Sequence, residues 1–247
     1  MGNLIQSTTT LAMHIVSPYI KPDSTIVDAT CGNGRDTLAL AKALFRDSNK
    51  ASSVGCPLSA HRTTASTGDS RTSSGGRLYA FDIQQQAIDT SFSLLESNGF
   101  KPYINAASPN SCHCGSIVLI RDSHENMDLY IDKADLIVFN LGYLPGGDKT
   151  ITTDSKSTTN AVRAALPLLE KDGLLCITMY SGHHAGAVEK AALLQLAEGL
   201  DPGIWHTAYI NMINQTNDPP EILLITRKRA KDMSSLLSNH NNRVLNP

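Results

Sequence analysis

The stretch TIVDATCGNGRDTLALA, Thr25 to Ala41, carries the first residues that could do chemistry. An apolar run ends in an acid, Asp28, then turns through Gly32 and Gly34 into a helical pattern. A loop in that place aims backbone N–H groups and a helix N-terminus at whatever sits beyond the strand. Acids recur after two later apolar runs, Asp82 after RLYAF and Asp122 after SIVLIR. Asn140 closes a fourth run and opens the loop NLGYLPGG. Each acid taken alone can be a turn or helix cap. Three of them at successive strand ends describe a polar ligand laid across one edge of a sheet.

The glycine loop narrows the ligand. A dinucleotide site reads G-x-G-x-x-G, its third glycine letting helix and strand pack closely. Here Thr37 stands where that glycine belongs, which disfavours a dehydrogenase. An acid ahead of the loop also suits a pyrophosphate poorly. The methionine end of S-adenosylmethionine (SAM) carries an ammonium and a sulfonium, and a carboxylate suits both. The candidate contacts from this loop are Asp28, Thr30, Gly32, Asn33, Gly34 and Asp36. Asp82, with Ile83 and Gln84, can accept both ribose hydroxyls. Asp122, with Ser123 and His124, can accept from the adenine amino group. The other reading of the loop is a strand-to-helix turn with no ligand.

In NLGYLPGG the order is an Asn, small residues, then an aromatic. This resembles the Asn-Pro-Pro-Tyr loop of amino-group methyltransferases, with Leu141 and Gly142 in place of the prolines. An amide oxygen can accept the hydrogens of an amine and aim its lone pair at a methyl carbon. Asn140 and Tyr143 are therefore the catalytic candidates, and Asn140 also borders the cofactor. Tyr143 can stack on a flipped-out base or pack within a tight loop. Gly142, Tyr143, Leu144, Lys149 and His183 are the candidate substrate contacts. His124, His183 and His184 are candidates for proton removal, or simply surface histidines.

Positioning these residues takes alternating strands and helices. Strands are expected at Ser24–Asp28, Arg77–Ile83, Ser116–Asp122, Leu136–Asn140, Leu174–Tyr180, His206–Ile213 and Glu221–Arg227. Helices are expected at Thr8–Ser17, Arg35–Phe45, Gln84–Ser97, Ser157–Glu170 and Ala187–Ala197, from their apolar spacing and their flanking prolines and glycines. Asp172-Gly173 reads as the turn into the fifth strand, Pro102 to Cys114 as a polar loop, and NQTNDPP as the link in a terminal hairpin. The alternation predicts an α/β, Rossmann-like class I fold. Its seven-stranded sheet is mostly parallel, has helices on both faces and ends in an antiparallel hairpin. One domain is expected over residues 1–230, interrupted by a Ser/Thr/Gly-rich disordered insertion at 47–76, with a flexible tail at 231–247. Removing the insertion brings the spacing from Asp28 to Asp82 near the ~20 residues usual between such a loop and its acid.

Composition sets outer bounds. The chain is 41% hydrophobic and 18% charged with a net charge of −2, so any RNA partner would meet a local cationic patch rather than a global field. Lys149, Lys156 and Arg163 are candidates for that patch. The five cysteines (31, 56, 112, 114, 176) are odd in number and irregularly spaced, which points to reduced thiols inside a cell. Cys112-His113-Cys114 could be half a zinc site, but no second ligand pair has the matching spacing, so no metal is expected. No apolar run approaches the ~18 residues of a membrane helix, and the N-terminus lacks the apolar core of a signal peptide. A precursor with a removed transit peptide stays open.

Together, DATCGNGRDTLALA, FDIQQQAI, DSHE, NLGYLPGGDK and NQTNDPPEILLI resemble the YtqB-like, or MnmM, family. The resemblance spans nearly all of the expected ordered chain, and NLGYLPGGDK is its most specific segment. It implies methylation of the 5-aminomethyl group of the wobble uridine (U34) in tRNA, giving 5-methylaminomethyluridine. It also implies SAM contacts at Asn33, Asp82, Gln84, Ser123 and His124, with the anticodon stem-loop as partner. The polar insertions depart from the family pattern and look like eukaryotic additions, of the kind a plant protein carries. They leave a cytoplasmic and an organellar compartment both open, and a homodimer is an open alternative to a monomer. The rival readings are an rRNA or small-molecule amine methyltransferase and a SAM- or RNA-binding module without catalysis.

Overall fold

A computed structural model describes residues 5–46, 75–104, 115–142 and 155–228. Helix α1 (Thr8–Val16) begins where the Ser7 side chain accepts from the Thr10 N–H at 3.1 Å, and Pro18 follows its end. Strand β1 (Thr25–Asp28) and helix α2 (Arg35–Leu44) flank the glycine loop. Next come β2 (Arg77–Phe81), α3 (Gln85–Ser97), β3 (Tyr103–Ile104), β4 (Ser116–Ile120) and β5 (Ala134–Asn140). Then follow α4 (Ser155–Leu168), β6 (Leu169–Met179), α5 (His184–Glu198), β7 (Trp205–Ile210) and β8 (Glu221–Arg227).

The strands form one sheet of order β3-β4-β2-β1-β5-β6-β8-β7. All neighbours are parallel except β8, which runs antiparallel to both β6 and β7. The sheet is apolar on both faces because helices cover both. Along β1, Ile26 joins the core beneath α1, α2 and α3, while Val27 joins the core beneath α4 and α5. β1 lies between β2 and β5, so chain order reverses there. Loops leaving the two central strands diverge at such a switch point and open a crevice beyond the strand ends.

Two expectations need correction. The segment expected to be loop throughout 102–114 contains β3, whose residues pair with Val118 and Leu119, so the sheet has eight strands rather than seven. Two exposed residues carry no periodic pattern, so nothing in the sequence marks this strand. Asp172-Gly173 is a bulge within β6 and not a turn before it. Leu169 already pairs with Ala134, Asp172 takes a φ of 65°, and pairing resumes at Leu174 opposite Leu136. The 47–74 part of the insertion and the tail lie outside the described residues.

The glycine loop is fixed from the α3 side. Gly34 has a φ of +76°, and a Cβ placed on it would lie 2.6 Å from Ser91 Oγ and 2.9 Å from Ser91 Cα. Ser91 Oγ also donates to the Gly32 carbonyl at 3.0 Å and accepts from the Cys31 thiol at 3.1 Å. Gly34→Ala thus combines left-handed strain with a clash against backbone, a loss of at least about 2 kcal/mol. The expected outcome is a melting temperature lower by several degrees, at ~2–4 °C per kcal/mol for a chain of this size. Scanning calorimetry checks it, and an unchanged melting temperature would show that α3 simply moves aside.

Candidate active site

Asp28, at the end of β1, takes a different part from the one its position suggests. It is 1% exposed and faces inward. Its Oδ1 accepts from the Thr30 N–H at 3.1 Å and its Oδ2 accepts from the Thr37 hydroxyl at 2.6 Å. The Thr that replaces the third glycine of a dinucleotide loop is thus the partner of the strand-end acid. Burial pushes the Asp28 carboxyl up to about 7, with the nearby Asp36 charge adding and the Thr37 and Thr30 bonds opposing. Asp28 shapes the loop that a ligand meets.

The loop's next link is Thr30, whose hydroxyl accepts the backbone N–H of Asn140 at 2.7 Å. This joins the end of β1 to the end of β5. The Asn140 side chain reaches the start of α2, where its Nδ2 donates to Asp36 Oδ2 at 2.7 Å. A carboxylate accepts only from the nitrogen end of the amide, so the orientation of the amide is set. Its Oδ1 is then buried with no hydrogen-bond partner. A buried acceptor left unmade costs about 1–3 kcal/mol, and such an atom at a strand-end crevice marks a place where a donor is expected. Burial raises the phenol of Tyr180, just past β6, and the side chains of Thr9 of α1 and Asn140 beside it oppose that rise as donors.

Asp82 follows β2. Its Oδ2 accepts from the Gly32 N–H at 2.9 Å and its Oδ1 accepts from the Gln84 N–H at 2.8 Å. Burial holds it above the ordinary carboxylate range even though both N–H donors pull it down. Ile83 beside it is exposed, and Gln84 precedes α3 as its N-cap. Asn33 sits half-buried in the loop between Gly32 and Gly34.

Asp122, after β4, accepts from the Ser123 N–H at 2.7 Å, from Asn126 at 2.9 Å and from the Tyr130 hydroxyl at 2.9 Å. Burial raises its carboxyl, but those bonds together outweigh it and leave it below its usual range. Ser123 caps a short 3-10 helix, His124–Leu129. The His124 ring bonds the Ala29 carbonyl at 3.1 Å through Nδ1, so it lies against the glycine loop. Its other nitrogen is 3.4 Å from the Ser157 hydroxyl of α4.

Direct hydrogen bonds join Asp28, Thr30, Asn140 and Asp36 in one chain and Asp82 to Gly32, and His124 joins the same loop through the Ala29 carbonyl. His183 is exposed and caps α5 by accepting the Gly186 N–H on Nδ1 at 2.9 Å, and His184 is the exposed first residue of that helix. Neither contacts Asn140 through any of these bonds. Gly142, with a φ of 146°, lies beside the Tyr180 ring. Tyr143, Leu144 and Lys149 fall outside the described residues, as do Cys112, His113 and Cys114. Among the described residues no group of three His, Cys, Asp or Glu could hold a metal ion, and no helix is long and apolar enough to cross a membrane. Cys31 and Cys176 are buried, and burial pushes both thiols up to about 12, so neither is a nucleophile. Sequence reasoning overlooked Ser91 and Tyr180. Tyr180 could have been found, since it ends the strand expected to follow that of Asn140.

A strand-end acid that shapes a glycine loop, a second acid at the next strand and a buried amide at the end of β5 tied to the same loop describe a class I methyltransferase site. The "Putative rRNA methylase" family model matches residues 78–226. The chain belongs to this family. A chloroplastic tRNA (mnm(5)s(2)U34)-methyltransferase of Arabidopsis thaliana is 34% identical over 219 residues, 87% of this chain and 68% of that protein. A "putative rRNA-methylase" from Clostridium thermocellum superposes with a TM-score of 0.69 at 30% identity, covering 90% of this chain and 98% of that one. A "putative methyltransferase" from Streptococcus mutans, solved with S-adenosylhomocysteine (SAH), gives 0.65 at 25% identity and covers 92% and 99%. The chain is a SAM-dependent methyltransferase of class I fold. Its residues fit the cofactor: the loop glycines hold left-handed φ values that free the backbone for close approach, and the carboxyls gathered around the loop suit a cationic ligand.

The buried Asp28 makes stability depend on pH in a definite direction. Its folded value of about 7 exceeds the ordinary 3.8, so the folded state keeps a proton that the unfolded chain has lost. This contribution is full below about pH 4 and is lost as pH rises toward 7, by up to about 4 kcal/mol. Asp82 works in the same direction. Asp28→Asn removes the titration. Its amide can still face Thr30 and Thr37, whose hydroxyl can turn to the Cys31 sulfur 3.4 Å away. The expected outcome is a flatter melting-temperature profile from pH 5 to 8 than wild type. Parallel profiles would mean that Asp28 does not titrate in that range.

Proposed function

We propose that this methyltransferase acts on the 5-aminomethyl group of the wobble uridine in tRNA, giving 5-methylaminomethyluridine. The observation that carries the reading is the unpartnered, buried Oδ1 of Asn140. An amine is a hydrogen donor, and this acceptor is held by Asp36 so that it cannot turn away. The Arabidopsis relative's name supports a modified U34 of tRNA as the acceptor. That relative is chloroplastic, which supports an organellar compartment for this chain.

SAM, when bound, supplies a methyl group on a positively charged sulfur. Asp82 would accept the ribose hydroxyls, with Gln84 beside it, and the 122–124 turn would border the adenine. Gly32, Asn33 and Gly34 would lie along the aminoacyl end. Asp28 would act through the loop and not by contact, because it is buried beneath the loop at 1% exposure. Asn140 would accept an amine hydrogen and hold the nitrogen lone pair toward the methyl carbon, which converts loose encounter into alignment. An alkylamine has a pKa of about 10, so reaching its neutral form at pH 7 costs on the order of 4 kcal/mol. Positive charge beside it lowers that cost.

Nucleoside mass spectrometry of tRNA and ribosomes treated with enzyme and isotope-labelled SAM tests the reading. Label is expected in the wobble uridine of tRNA. Label confined to ribosomal RNA would replace tRNA with the rival acceptor. Two substitutions probe the roles. Asn140→Ala should slow single-turnover transfer about 10²-fold at saturating SAM and tRNA, with tRNA affinity little changed because phosphate contacts supply most of it. A normal transfer rate would remove Asn140 from the mechanism. Asp82→Ala should weaken SAM binding at least tenfold, since charge-assisted hydrogen bonds are each worth roughly 1.5–3 kcal/mol. Calorimetry reporting wild-type affinity would remove the ribose assignment.

A further inference from the structure

Beside the catalytic amide stands an aromatic residue that the glycine-loop and strand-end patterns do not include. Tyr180 follows the last residue of β6, the strand that neighbours β5. The two strand ends are tied together, because Asn140 is paired with Thr178 and the Leu141 N–H donates to the Thr178 carbonyl at 2.9 Å. The Tyr180 hydroxyl lies beside the Asn140 and Thr9 side chains, and the ring lies 4.0 Å from where a Gly142 side chain would begin. The Tyr180 backbone is hemmed in as well. A Cβ on Gly186 would fall 2.0 Å from the Tyr180 carbonyl, so only glycine lets α5 start this close. Yet Tyr180 is 37% exposed. A tyrosine that stands beside the Asn140 amide, whose backbone is clamped and which still shows surface to solvent has the make-up of a stacking platform.

We propose that Tyr180 seats the acceptor nucleobase, its ring stacking on the base while its hydroxyl steadies Asn140. This rests on the nucleoside acceptor of the proposed function. Bases offer a π-face whatever their edge, and an aromatic platform binds them with little loss of side-chain freedom. The hydroxyl and the ring have separable consequences. The ring holds the base and governs how much RNA is needed. The hydroxyl acts through Asn140 and governs how well the bound amine is aimed. Tyr180 is therefore a positioning and substrate-seating residue.

The test uses the full-length protein, a tRNA anticodon stem-loop and a second stem-loop carrying 2-aminopurine at the acceptor position. Tyr180→Leu should raise the KM for the stem-loop about tenfold or more, as loss of one base stack does, with SAM affinity unchanged by calorimetry. The 2-aminopurine emission of the bound RNA should be brighter with Tyr180→Leu than with wild type, since aromatic stacking quenches it. Tyr180→Phe should keep both the KM and the quenching and lower kcat severalfold. Should the Leu variant melt early or lose SAM, the Phe variant decides: a KM raised as for the Leu variant would overturn the inference. Wild-type KM and wild-type quenching in Tyr180→Leu would also overturn it. A wild-type enzyme that transfers no methyl to tRNA removes the acceptor reading and this inference with it. An active wild type with an unaltered Leu variant removes this inference alone.

Discussion

The arrangement depends on one buried carboxylate. Asp28 accepts from Thr30 and Thr37, and through them it ties the end of the central strand to the first turn of α2. Thr30 in turn accepts the backbone of Asn140, and Asn140 donates back to Asp36 on α2. Asp82 takes the Gly32 N–H from the other side, and Ser91 takes the Gly32 carbonyl. Three strand ends and two helices therefore meet at a loop that contains no rigid side chain of its own. Glycine supplies the required left-handed turns but no stiffness. The stiffness comes from acceptors outside the loop.

A second cluster of bonds lies beyond the end of β6. Glu221, at the start of β8, is nearly buried and accepts from Lys190 of α5 at 2.6 and 2.8 Å, from the Tyr209 hydroxyl of β7 and from Ser181 at 3.3 Å. Burial alone would raise the carboxyl, yet the Lys190 and Tyr209 donors outweigh it and hold it below its usual range. An acid with this many donors is ionised at neutral pH. The cluster thus couples the terminal hairpin to the turn between Tyr180 and α5. The antiparallel strand that distinguishes this sheet from a dehydrogenase domain is in this way connected to the wall of the crevice. Thr8 of α1 adds a bond to the Pro220 carbonyl at 2.7 Å, which holds the first helix against the same hairpin.

How much of this was legible follows from what a linear pattern can carry. β8 spans Glu221–Arg227 as its apolar run indicates, and β1 and α2 match to within a residue, because their periodicity and punctuation are local. Asp82, Asp122 and Asn140 were visible for the same reason, as polar residues at the ends of apolar runs. The direction in which each points was not. Asp28 and Asp82 look alike in sequence, but one is sealed under its loop and the other reaches across to it. That difference is decided by Thr37, nine residues on, and by a helix that begins more than fifty residues later. Ser91 is an ordinary polar residue of α3 until Gly34 is placed against it. Tyr180 reads as the last residue of a strand, and only the pairing of β5 with β6 brings it beside Asn140.

The loop's construction also bears on why a cationic cofactor suits it. Asp28, Asp36 and Asp82 lie close enough that each of the other two pushes the Asp28 carboxyl upward, on top of burial. Burial is the larger cause of the raised Asp28 value, about 7, and the repulsion among these carboxylates adds to it. Positive charge brought to the crevice would relieve that repulsion and favour the ionised forms. A neutral or anionic ligand would not. A pyrophosphate in the same place would add negative charge to a site that already resists it. The preference for a sulfonium and an ammonium is therefore set by the acids that shape the loop before any of them touches a ligand. The residue that removes room for a dinucleotide, Thr37, is the same one that keeps the first of those acids in position.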